Sequence, residues 1–367
     1  MACKRSGSFL RRPATLLCLL LLLPLLNGCS TASGEKQIFP ICMSMDRLTD
    51  GRLQLAVQVS DMSGDKATEY TVFSAAGDNF GQTLEILGAS MPYPLHFGQL
   101  RLCLLGYELA AQEDLLELLT PVDQLHTINP EAAVMICMGN ASKTMAAQKP
   151  DLGVRLSTYL DQLLARLRQE KLTPPETLRD VIAMLTSGYR DPLLGLCALN
   201  NATGPDDAAK DSENPAGDSQ GTKEAFNPSG SIAIGEPTPQ EDLPAELTAG
   251  SLPRKGGNPV EYTGCAVVGK RRVTGTLTAL ETRLGLILRQ EAKLRSLTQD
   301  SGQVVLPRPL DFSLDEIVQL VTKWQLLRCD ALGVTAFAAK KCVTDVELST
   351  FLTHHEPSFI TLTITYQ

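Results

Sequence analysis

Between Asn200 and Glu261 the chain cannot build a core. The run is dense in Gly, Pro, Asp, Glu, Ser and Asn and holds a single aromatic, Phe226. Such a composition buries too little apolar surface to offset the entropy of ordering it, so residues 200–261 are expected to be a disordered acidic linker. Whatever folds must therefore do so from 29–199 and from 262–367. The sequon Asn201-Ala202-Thr203 lies within this run.

The amino terminus says where folding takes place. Lys4, Arg5, Arg11 and Arg12 precede an apolar run, Leu16 to Leu26, which ends in Leu26-Asn27-Gly28-Cys29. A basic flank, a short apolar core and a cysteine directly after a small residue form a lipobox, so residues 1–28 read as a signal peptide and Cys29 as the lipidation site. Diacylglycerol on the Cys29 thiol supplies two acyl chains, enough for stable anchoring where one chain binds only marginally. A spanning helix needs roughly 20 consecutive apolar residues, and no later stretch approaches that. Loss of the signal takes the formal net charge from −8 to −12. An acidic chain whose largest basic cluster is Lys270-Arg271-Arg272 argues against nucleic acid as a partner.

Of ten cysteines, Cys3 and Cys18 leave with the signal and Cys29 takes lipid. The remaining seven cannot all pair, and none forms a CxxC motif. Most sit inside apolar strands, which favours buried free thiols over a disulfide framework, with Cys329 and Cys342 the pair best placed to be an exception.

Periodicity sketches an α+β fold of mixed sheets and packed helices in two parts. Leu53, Leu55, Val57 and Val59 alternate after the Asp50-Gly51 turn, so a strand is expected there, with Ile38–Met45 as its hairpin partner and Tyr70–Ser74 next. Helices are expected over Gly81–Leu87 and Leu109–Leu119, and strands over Leu100–Leu105 and Ala133–Met138. Leu156, Leu160, Leu163 and Leu167 form a helical stripe. Thr173-Pro174-Pro175-Glu176 resembles a capping box before Leu178. Beyond the linker, Gly264–Val268 and Val273–Leu277 flank the turn Gly269-Lys270-Arg271-Arg272, a hairpin signal. Leu284–Leu288 reads as a third strand, Ser313 to Glu316 as a capping box opening a helix with Ile317, Leu320, Val321, Trp324 and Leu327 on one face, and Ile360–Tyr366 as a closing strand.

Catalytic constellations are absent from this pattern. His96, His126, His354 and His355 are scattered, and adjacent strand positions point to opposite faces, so the last two could not share an ion. No nucleophile elbow, P-loop or dinucleotide fingerprint appears. Asp46, Asp50, Asp61 and Asp65 form the densest carboxylate group. Their spacing fits no calcium loop, and solvated turns account for them. No cofactor or metal is expected, and the chain reads as a non-enzyme.

The order of segments resembles the Ger(x)C family, the lipoprotein C subunits of nutrient germinant receptors in endospore-forming bacteria. The lipobox is followed by Met43-Ser44-Met45-Asp46 and Leu53–Val59, similar to the family's first hairpin. Ser74–Leu87 and Leu95–Ala110 are similar to its glycine-led helix and the strand after it. Thr263–Leu277 with Glu281–Leu288, and Asp330-Ala331-Leu332-Gly333 after the Trp324 helix, resemble its later motifs. This chain differs in having Ser30-Thr31-Ala32 where the family usually has Trp-Asp-Arg, and in its short stretch Arg289–Asp311, which implies a reduced last domain. The resemblance implies a non-catalytic subunit held by lipid to the outer face of the spore inner membrane, beside polytopic A and B subunits. It carries over no site residue except Cys29. The competing reading is a solute-binding or assembly lipoprotein of an unrelated envelope complex.

Overall fold

The computed structural model describes residues 37–60, 70–150, 154–200, 247–254, 256–298, 301–342, 347 and 360–366. The signal peptide, Cys29 and most of the expected linker, residues 201–246, lie outside the described residues.

An eight-stranded mixed sheet organises the fold. Its strands are β1 Pro40–Arg47, β2 Leu53–Ser60, β3 Tyr70–Gly77, β4 Leu102–Gly106, β5 Ala133–Cys137, β6 Leu193–Leu199, β7 Val260–Gly269 and β8 Arg272–Leu277, in the spatial order β3-β2-β1-β4-β5-β6-β7-β8. β1, β4, β5 and β6 run parallel at the centre. Antiparallel hairpins close both sides, with β2 and β3 on one and β7 and β8 on the other. The central strands are buried on both faces, which is why β4 and β5 read as continuous apolar runs.

Helices cover each face. On one side, α1 Phe80–Ala89, α2 Tyr107–Gln112, α3 Leu115–Asp123 and α6 Leu178–Ser187 pack with Met43, Leu55, Leu105, Ile136, Leu196, Val268 and Val273 in one core. On the other, α4 Ala141–Ala146 and α5 Leu156–Gln169 cover Cys42, Leu104, Met135, Cys197 and Tyr262. A third core lies against β6, β7 and β8 through Leu193, Cys265, Val267 and Leu277. It gathers α7 Ala279–Glu291, α8 Leu314–Leu326 and a three-stranded sheet of β9 Lys293–Leu297, β10 Ser301–Leu306 and β11 Thr361–Tyr366. A last helix, α9 Val334–Lys341, follows the Asp330 motif.

The α+β class with mixed sheets and packed helices is as expected, and three details differ. Leu284–Leu288 is helical, because Thr278 and Glu281 form a capping box and Leu284 and Leu288, one turn apart, both reach the third core. The helix approaches α8 so closely that a Cβ at Gly285 would lie 2.8 Å from Trp324 Cζ2. The box before α6 is Thr177 with Asp180, not Thr173 with Glu176; Glu176 instead pairs with Arg289 at 2.5 Å in a nearly dry setting. The turn at Lys270 and Arg271 takes positive φ at both residues, 52° and 63°, as a tight two-residue hairpin requires.

The third difference concerns the linker's end. Leu247–Arg254, expected to be disordered, is tied to β7 by Ala249 N donating to the carbonyl of Thr263 at 3.2 Å, and Val260 and Glu261 already belong to β7. Glu261 causes this. Its buried carboxylate accepts from Gly250 N at 2.7 Å, Leu252 N at 3.2 Å and Arg254 Nε at 2.9 Å, and also from the Asn200 amide. The hairpin β7–β8, expected as the heart of the second part, thereby completes the sheet begun before residue 200. Replacing Glu261 by Ala leaves those donors unmet and should cost about 3 kcal/mol. Urea unfolding of Glu261→Ala checks this; a midpoint equal to that of the parent protein would show that the segment is held by other contacts.

Candidate functional site

At the carboxyl ends of β1, β4 and β5 the chain leaves β4 for α2 on one face and β5 for α4 on the other. Crevices open where helices part in this way, and they are the usual ligand sites of sheets with parallel strands. A cleft of about 340 Å³ lies here, lined by Asp46, Arg47, Tyr107, Glu108, Met138 and Asn140.

Asp46 gives the cleft its structure. It ends the alternation Cys42, Ser44, Asp46 along one face of β1, so its side chain enters the α4 layer rather than solvent. Its two oxygens accept from Ala141 N and Ser142 N, each at 2.9 Å, at the start of α4, while Asn140 caps the same helix by accepting from Lys143 N at 2.8 Å. Burial raises the Asp46 carboxyl above its ordinary value, and the two amide donors pull it back. A Cβ at Gly106 would overlap Asp46 Oδ1, so only glycine fits at the end of β4. Arg47, next along, is engaged by Glu113 and by the carbonyl of Gly51. Beneath the cleft, Cys137 and Cys197 face each other in register on β5 and β6. The Cys137 Sγ donates to Thr144 Oγ1 at 3.0 Å, and a hydrogen bond shared with Cys197 holds the Cys137 thiol below its usual value and pushes that of Cys197 up.

A second polar cluster lies where β6 begins. Asp191 Oδ2 accepts from Asp330 N at 2.7 Å, and Asp330 accepts from Val334 N at 2.7 Å and Thr335 N at 2.8 Å, fixing the start of α9. Arg190 reaches the carbonyl of Ala331 at 2.8 Å and that of Arg289 at 3.3 Å. The Asp330-Ala331-Leu332-Gly333 motif is thus an anchor for α9. Burial pushes the Asp191 carboxyl up to about 6 and raises Asp330 in the same direction.

Other residues marked by sequence do not converge. His96 accepts from Gly98 N at 3.3 Å and lies against Phe39, with ring centroids 5.1 Å apart, and His126 is exposed elsewhere. Asp50 sits in the exposed β1–β2 turn with Arg52, whereas Asp61, Asp65, His354 and His355 lie outside the described residues, as does Cys29. Cys329 and Cys342 are free thiols, as are the other five described cysteines, so the exceptional pairing is not formed. Among the described residues, no group of three or more His, Cys, Asp or Glu side chains is arranged to hold a metal. Nor is any described helix long and apolar enough to cross a membrane.

Fold and site together define an α+β protein built on an open mixed sheet, with a polar cleft at the ends of its parallel strands. Residues 34–199, which contain that cleft, match the spore germination protein N-terminal domain. The first half of the chain is therefore similar to the N-terminal domain of spore germination proteins. Among solved structures it is similar to the crystal structure of the GerBC protein, at 11% identity and a TM-score of 0.37, over 89% of this chain and 94% of that one. Among curated proteins, none matches this chain.

The Asp191 environment sets a pH dependence. Because its folded value, about 6, lies above the ordinary 3.8, the fold favours the protonated acid. The associated stability is fully present below about pH 4 and is lost as pH rises through about 6, an effect on the order of 3 kcal/mol for two pKa units. Asp191→Asn keeps the acceptor and should flatten the fall in melting temperature between pH 4 and 6. An unchanged slope would place the titration on another group.

Proposed function

We propose that this chain is the lipid-anchored, non-catalytic C subunit of a spore nutrient germinant receptor. In this reading diacylglyceryl Cys29 holds it to the outer face of the spore inner membrane, beside two polytopic subunits. The single observation that carries the reading is the family match over residues 34–199, which begins five residues after the lipobox cysteine. The cleft fits a supporting part, because its principal acid, Asp46, is committed to the α4 amides rather than left to act on a substrate.

Cys29→Ala tests both halves of the proposal. The variant should accumulate as unprocessed precursor, whereas mass spectrometry of the parent should find a diacylated N-terminal cysteine. Spores carrying Cys29→Ala should be viable yet fail to germinate on nutrient, and the two polytopic subunits should no longer co-purify with the chain. A parent that begins at an unmodified residue contradicts the anchor. Normal nutrient germination without the chain, or its isolation with a transporter permease and ATPase, contradicts the receptor.

A further inference from the structure

The chain enters the fold beside an exposed surface that carries no charge. Ile38 donates its N–H to the carbonyl of Pro94 at 3.0 Å, and its own carbonyl accepts from His96 N at 2.8 Å. The stretch it joins runs from α1 into the loop that follows, and from Ile86 to Leu100 it holds no Asp, Glu, Lys or Arg, in a chain of which 20% is charged. Part of it is buried, as an apolar run should be: Leu87, Phe97 and Leu100 belong to the core. The rest is not. Ile86 and Tyr93 are 46% and 45% exposed, Ala89, Pro92 and Pro94 are exposed with them, and Met91 and Leu95 are half-buried. Ile86 and Ala89 are neighbours on one helix face. Ser90 N and Met91 N bond back to the carbonyls of Leu87 and Gly88, so the loop turns directly off the end of that helix. Single exposed apolar side chains are ordinary, whereas a run of them without a charge marks a surface with a partner.

Chain length and charge select that partner. If Cys29 carries diacylglycerol, as proposed above, the nine residue steps from Cys29 to Ile38 reach at most about 32 Å when fully extended. Through the Ile38 bonds, the Met91–Leu95 loop is then the part of the fold that the anchor keeps within reach of the bilayer. The mature chain has a formal net charge of −12 once the four cations of residues 1–28 are gone. Anionic headgroups repel an acidic surface, so an uncharged face approaches them at least cost. Tyrosine suits the headgroup level, where its ring meets the apolar side and its hydroxyl stays in water.

We propose that this surface, Ile86–Ala89 with Met91–Leu95, rests on the membrane with Tyr93 among the lipid headgroups. Ile38 and Leu100 lead into β1 and β4, so the parallel strands run away from the bilayer and the Asp46 cleft opens on the far side. The proposal rests on anchoring at Cys29, and its test supplies the anchor chemically. The mature chain carrying Cys342→Ser, in which the cysteines other than Cys29 are all buried, is coupled through Cys29 to a maleimide-headgroup lipid in vesicles of phosphatidylglycerol and acyl-brominated phosphatidylcholine. In Tyr93→Trp the added fluorescence should lose most of its intensity relative to the same vesicles without bromine. Met138→Trp, at a position 42% exposed on the cleft side, should lose little. Adding Pro92→Glu to Tyr93→Trp should restore the emission and leave thermal unfolding unchanged. No quenching at position 93, equal quenching at 93 and 138, or quenching that persists with Pro92→Glu would overturn the proposal. Because the anchor is attached chemically, this readout is independent of native acylation, which the mass spectrum of the N-terminal cysteine decides by itself.

Discussion

The antiparallel ladder between β6 and β7 is the contact on which the rest of the structure depends. Leu193 to Leu199 stand opposite Val267 back to Val260, although residues 200–259 separate the two strands in sequence. Closing so long a connection is less costly than its length suggests, because loop entropy grows only logarithmically, by roughly 0.6 kcal/mol per doubling. What the ladder holds is large. One face of β6 to β8 continues the core that begins at β2, and the other face is the floor on which α7, α8 and the small sheet assemble. Without β7 and β8, the apolar edge of β6 and the lower surface of α7 would both face water.

Buried carboxylates recur as the pins of this assembly. Asp46 holds the start of α4, Glu261 holds the loop Gly250–Arg254, and Asp330 holds the start of α9, each by accepting backbone N–H groups that no other part of the fold meets. In each case amide donors take the place of the water that the carboxyl oxygens lost on burial. The cleft at β1, β4 and β5 is one consequence. Its walls are set by Asp46 and by the glycine at 106 that leaves room for it.

Periodic segments were legible in the sequence. Alternation marked β2, the β7–β8 hairpin and β11, and a capping box marked α8, because in these the local pattern and the tertiary environment agree. β6 was not recognised, although Leu193–Leu199 is a continuous apolar run between Pro192 and Asn200, the pattern of a strand buried on both faces. Leu284–Leu288 is a similar, shorter apolar run, and only the Thr278–Glu281 cap distinguishes it as a helix. Asp46 has the sequence context of a turn residue; its parity with Cys42 and Ser44 on β1 is the signal that it points inward. Glu261 gave no signal at all, since a carboxylate that orders its neighbours has the same composition as one that is solvated.

The central claim is that the segments before and after residues 201–246 form one cooperative unit through β6 and β7. Trp324, the only tryptophan, is buried in the third core, and Cys42 and Cys103 are buried thiols of the sheet's first half. Following Trp324 fluorescence and the alkylation of Cys42 and Cys103 through the same urea titration compares the two ends directly. One shared midpoint is the result this account predicts; a Trp324 transition complete while both thiols are still protected would contradict it.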